Sequence, residues 1–126
     1  MKPETEEWIS KAEGNWAVAN RELAAKAPVW DIICFLAQQC AEHYLKAFLE
    51  EHSILFRKTH DLAWLHGVSS GLLPELDTIT QDLVDLSTLG VEARYPGMNT
   101  DRAIATNMMR VAAEVRDVIR QKLGIS

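Results

Sequence analysis

Between Pro28 and Glu51 the apolar residues repeat with the period of an α-helix, over a length that exceeds an ordinary strand. With Trp30 set at zero on a helical wheel, Ile33, Cys34, Ala37, Cys40, Ala41, Tyr44, Leu45 and Phe48 all fall within about 80° of it. So wide an apolar face must be covered on several sides. Phe35 and Leu36 lie outside it, as expected of a helix that is central to its bundle or that also meets another chain.

The same period governs most of the chain. Trp8, Ile9, Ala12, Trp16, Ala19 and Leu23 form one stripe, which predicts a first helix over about Thr5 to Ala25. Thr5 is the expected cap, with Glu6 and Glu7 in the first turn. A third helix is expected from near Thr59, with Leu62, Ala63 and Leu65. Gly67, Ser69, Ser70, Gly71 and Pro74 interrupt it, and Leu76, Ile79, Leu83 and Leu86 resume the pattern over about Glu75 to Ser87. A loop from Leu89 to Thr100 precedes a last helix over about Asp101 to Leu123, which Gly124 ends. The expected fold is all-α: an up-and-down, antiparallel four-helix bundle with an additional short helix, in a single domain over residues 1–126.

Charge narrows the function classes. A net charge of −5 excludes a general DNA-coating protein, which needs many Lys and Arg contacts to phosphate. Cys34 and Cys40 point to different parts of one helix surface, as free core cysteines of a reducing cytoplasm would. No apolar run is long enough for a membrane span, and residues 1–7 lack the pattern of a signal peptide, so a cytoplasmic location is expected. His43, His52, His60 and His66 match no metal-ligand spacing. Nucleophile elbows, Walker loops and dinucleotide fingerprints are absent. No metal or cofactor is expected.

Two clusters carry candidate chemistry. In Arg57-Lys58-Thr59-His60-Asp61, Thr59 is the expected N-cap of the third helix, with Asp61 in its first turn. That is either a capping box of solvated charge or an anion site, in which free N–H groups are joined by two cations and a histidine. In Arg94-Tyr95-Pro96-Gly97, proline and glycine set a turn, and the arginine and tyrosine either hold phosphate and stack on a base or pack and solvate the loop. Arg102, Arg110, Arg116 and Arg120 share the polar half of the last helix, an ordinary solvated face. Glu42 and Lys46 form an i,i+4 pair on a polar strip that begins at Gln38 and Gln39.

The run Gln38-Gln39-Cys40-Ala41-Glu42-His43-Tyr44-Leu45-Lys46-Ala47-Phe48-Leu49, followed by Arg57-x-Thr59-His60-Asp61-Leu62 and later by Arg94-Tyr95-Pro96, resembles the HEPN family, the nucleotide-binding domain of higher eukaryotes and prokaryotes. The resemblance implies a HEPN-like bundle that forms a homodimer, binds a nucleotide or RNA, and acts with a minimal nucleotidyltransferase in a toxin–antitoxin-like pair. Many members are metal-independent ribonucleases with an arginine followed, a few residues later, by a histidine near the start of the last helix. Here Arg102 is followed by Asn107 at that place, and asparagine exchanges no proton near neutral pH. The expected role is therefore binding, by Arg57, Lys58, His60, Arg94 and Tyr95, with the two clusters at the same end of the bundle. The alternatives are a ribonuclease with a degenerate site, with His60 as its candidate catalytic residue, and a non-catalytic helical interaction module.

Overall fold

A computed structural model describes residues 1–125. Among them are five α-helices: α1 (Pro3–Leu23), α2 (Trp30–Glu51), α3 (Leu62–Val68), α4 (Thr80–Glu92) and α5 (Arg102–Lys122), with a 3₁₀ segment (Pro74–Ile79) between α3 and α4. No strand occurs among the described residues, so the all-α expectation holds.

α1 lies antiparallel to α2: Thr5 near its start bonds Glu51 at the end of α2, and Asn15 bonds His43 further along. α5 runs parallel to α2, with Arg102 over Trp30 at one end and Arg120 on Tyr44 at the other. α4 returns antiparallel to α2, its Gly90 against Cys34 and Gln38 of α2 and its Asp82 beside Arg110 of α5. The wide apolar face of α2 is buried by α1, α4 and α5 together: Ile33, Cys34, Ala37, Ala41, Tyr44, Leu45 and Phe48 are all at the core. Leu36 packs against that core too, whereas Phe35 is half-buried and lies under the Arg94 guanidinium.

Several helix ends differ from expectation. α1 starts at Pro3, whose ring presets the first-turn backbone angle. Lys2 is the capping position, and Thr5 is buried inside the helix with its hydroxyl donating to Glu51 Oε1 at 3.0 Å. A tertiary partner thus takes the side chain that a local rule assigns to capping. α2 begins at Trp30, two residues after Pro28: Val29 is its extended capping residue, and the Val29 N–H donates to Glu22 Oε2 at 2.8 Å. α4 continues to Glu92, past the expected Ser87, which shortens the loop before α5. At the far end Gly124, with φ of 71°, closes α5 as expected, and the Ile125 N–H reaches back to the Arg120 carbonyl at 2.8 Å.

Candidate functional site

Gln38, Glu42 and Lys46 recur every fourth residue of α2 and so stack along one stripe. Sequence places this stripe on a solvated face, but all three are buried, Glu42 and Lys46 to within 5% of full burial. The segment between α2 and α3 covers them. Glu42 Oε1 accepts from Gln38 Nε2 at 3.0 Å, and Oε2 accepts from Lys46 Nζ at 2.9 Å. Burial alone would push the Glu42 carboxyl up. Hydrogen bonds from Gln38, Lys46 and His60 outweigh it and hold the group below the usual carboxylate range. Lys46 also lies 5.4 Å from the Trp8 ring centre and 6.0 Å from that of Phe56, so aromatic faces complete the enclosure of its ammonium.

His60 joins this network from the connecting segment. Its Nδ1 is 2.7 Å from Glu42 Oε1, and its backbone carbonyl accepts from Gln38 Nε2 at 3.2 Å. The rest of the ring is open, with the side chain 59% exposed. Next to it, Arg57 and Lys58 are both exposed. The Arg57 guanidinium lies 4.3 Å from the ring centre of Trp64 on α3.

The cap of α3 corrects the sequence reading. Asp61, not Thr59, is the N-cap: its Oδ1 accepts from the Trp64 N–H at 3.0 Å, and α3 begins at Leu62. Thr59 Oγ1 accepts from the Asp61 N–H at 3.1 Å, and the Leu62 N–H goes to Ser87 Oγ at 2.8 Å. These N–H groups already have partners, and a carboxylate occupies the end of this seven-residue helix. A ligand at this segment would meet side chains rather than a helix terminus.

The second cluster adjoins the same helix. Arg94 lies 4.6 Å from the ring centre of Phe35 and 5.7 Å from that of Tyr95. Tyr95 is 59% exposed and lines a surface depression of about 320 Å³ with Glu92, Pro96, Gly97 and Met98. Phe35 and Glu42 lie on one face of α2, separated by seven residues of helical rise, about 10 Å. The two clusters therefore share a face of α2, two turns apart.

The remaining arginines separate by their partners. Arg102 lies over Trp30 at 4.7 Å. Asn107 is exposed and accepts from Arg110 Nε at 3.1 Å, and Arg110 is paired with Glu114 and Asp82. Arg116 and Arg120, expected on a solvated face, turn inward instead. Arg116 grips Glu13 with two bonds of 2.8 and 2.9 Å, and Arg120 bonds the Tyr44 hydroxyl, which itself donates to Glu13. The two-pronged bond from Arg116 holds the Glu13 carboxyl below its usual range, and burial pushes Tyr44 up to about 12. This network ties α1, α2 and α5 together. Burial also pushes the thiols up, Cys34 to about 11 and Cys40 to about 12, which leaves them protonated and unreactive.

Among the described residues no group of three or more His, Cys, Asp or Glu is arranged to hold a metal, and no helix is long and apolar enough to cross a membrane. Sequence reasoning missed Glu42 and Gln38 as parts of the site. Their four-residue spacing to Lys46 was the available signal, and nothing local told it from a solvated ion pair. A family model described as the HEPN domain matches residues 5–122. No curated protein and no solved structure matches the chain.

Proposed function

We propose, on the premise that this chain belongs to the HEPN domain family, that it binds the sugar–phosphate part of a nucleotide or RNA through Arg57, Lys58, His60, Arg94 and Tyr95. Family membership itself carries a nucleotide- or RNA-related role in general terms. The observation that supports this assignment is the state of the cations. Acidic residues outnumber basic ones by 18 to 13. Arg110, Arg116, Arg120 and Lys122 all have carboxylate partners. Arg57, Arg94 and Arg102 instead lie on aromatic rings, with no carboxylate partner among the described residues, and of the three Arg57 and Arg94 belong to the clusters that also hold Lys58, His60 and Tyr95. An aromatic face holds a guanidinium in place and leaves its N–H fork free for phosphate. The measurement is fluorescence anisotropy with a labelled short oligouridylate. Arg57→Ala and Arg94→Ala should each weaken binding about tenfold, and unchanged affinity in both would remove the assignment.

In this reading the chain acts as one helical unit, as a homodimer, beside a minimal nucleotidyltransferase in a toxin–antitoxin-like pair. Exposed Val29 and Ile32 at the start of α2 support a second copy there. Light scattering on the purified chain tests the dimer. Co-expression with an adjacent nucleotidyltransferase, followed by gel filtration, tests the pair.

One observation favours a second reading, ribonuclease activity at a rearranged site. A buried carboxylate on one nitrogen of an exposed histidine is the arrangement of a general base. Cleavage of structured RNA that disappears in His60→Ala would establish it.

A further inference from the structure

Glu42 is enclosed, and its oxygens already receive Gln38 and Lys46. An ionised carboxylate only accepts hydrogen bonds. At 2.7 Å the His60 Nδ1 must therefore be the donor. The Gln38 amide holds the His60 backbone carbonyl as well, so main chain and ring are both anchored to the α2 stripe. In the neutral imidazole the second nitrogen is then an acceptor. Nε2 belongs to the open part of the ring and has no partner among the described residues. Arg57 and Lys58 precede it in the chain, both exposed.

A bare acceptor two and three residues along the chain from two exposed cations presents a ligand with two different demands. Phosphate oxygens suit the cations and cannot bond a neutral Nε2, because both sides would be acceptors. A sugar hydroxyl suits Nε2. We infer that Glu42 is a positioning residue that fixes the His60 tautomer, so that His60 Nε2 accepts a ribose 2′-hydroxyl and makes the site select ribonucleotides over deoxyribonucleotides. This rests on the nucleotide-binding reading above and adds the sugar selectivity to it. Arg57 and Lys58 supply affinity for either backbone, and His60 supplies the discrimination.

Two measurements on the intact chain test it. Long-range ¹H–¹⁵N spectra at about pH 8, where a histidine is ordinarily neutral, should show His60 protonated at Nδ1. A proton on Nε2 overturns the inference. Anisotropy then compares oligouridylate with oligodeoxyuridylate and with the 2′-O-methyl form, which keeps the oxygen but cannot donate. The unsubstituted ribose should bind about fivefold tighter than both, the worth of one neutral hydrogen bond, and the ratio should fall to about one in His60→Ala. Equal binding of all three sugars overturns sugar selection and leaves phosphate binding standing. A preference that survives in His60→Ala overturns the role of His60. Binding of none of the three overturns the inference together with the reading beneath it.

Discussion

Nδ1 of the exposed His60 sits 2.7 Å from a carboxylate oxygen of Glu42, a side chain that is only 3% exposed. Eighteen residues separate them in the chain. The pair joins a buried charge to a ring that a ligand can reach, so the interior of the bundle sets what its surface offers.

Removing the Glu42 charge should destabilise the fold strongly. Glu42→Gln leaves the Lys46 ammonium buried without its counter-charge, at a cost of about 3 kcal/mol. Replacing both, as Glu42→Leu with Lys46→Met, should recover much of that loss, because an apolar pair of similar volume needs no solvation. Urea unfolding of the single and double variants checks this. A double variant less stable than Glu42→Gln would contradict it.

Acid should weaken the protein in two stages. Burial lowers the pKa of His43 from its ordinary 6.5, and the folded state therefore favours the neutral ring. The stability this gives is present above 6.5 and is lost as pH falls through the lowered folded value. The Glu42 carboxyl, also held below its ordinary 4.5, contributes stability present above 4.5 and lost as pH falls through its own folded value. Unfolding midpoints should therefore begin to decline below pH 6.5 and fall further below 4.5. His43→Gln should remove the first decline and keep the second.

Two glycines in helices should respond to alanine with opposite signs. A Cβ on Gly90 would lie 2.3 Å from the Gln38 Cβ, so Gly90→Ala must push α4 off α2 and disturb the amide that bonds Glu42 and His60. The expected cost is about 2 kcal/mol. Gly14 has nothing within 4 Å of that position, and Gly14→Ala should stabilise by about 0.8 kcal/mol through helix propensity. Thermal melts of the two variants make the comparison.

Arg57→Lys keeps the charge but loses the flat guanidinium that lies on Trp64. Its affinity for oligouridylate should drop almost as far as that of Arg57→Ala. Arg110→Ala, whose arginine is already paired with Glu114 and Asp82, should bind as the unaltered chain does. Unchanged binding in Arg57→Lys, with equal losses in Arg57→Ala and Arg110→Ala, would mean that net charge alone drives binding.

The chain alone carried the all-α class, the wide apolar face of α2, the break after α3 and the end of α5 at Gly124. Each follows from helical period or from glycine and proline, which act within a few residues. It also singled out the exposed cations of the two clusters. Tertiary packing buries Gln38, Glu42 and Lys46, bonds Thr5 to Glu51 instead of leaving it to cap α1, and turns Arg116 and Arg120 inward to Glu13 and Tyr44. A helical wheel tells which residues share a stripe, and it carries nothing about what covers that stripe. For α2 the cover is the segment that ends in His60, and its arrival turns a solvated ion pair into a buried anchor for the histidine.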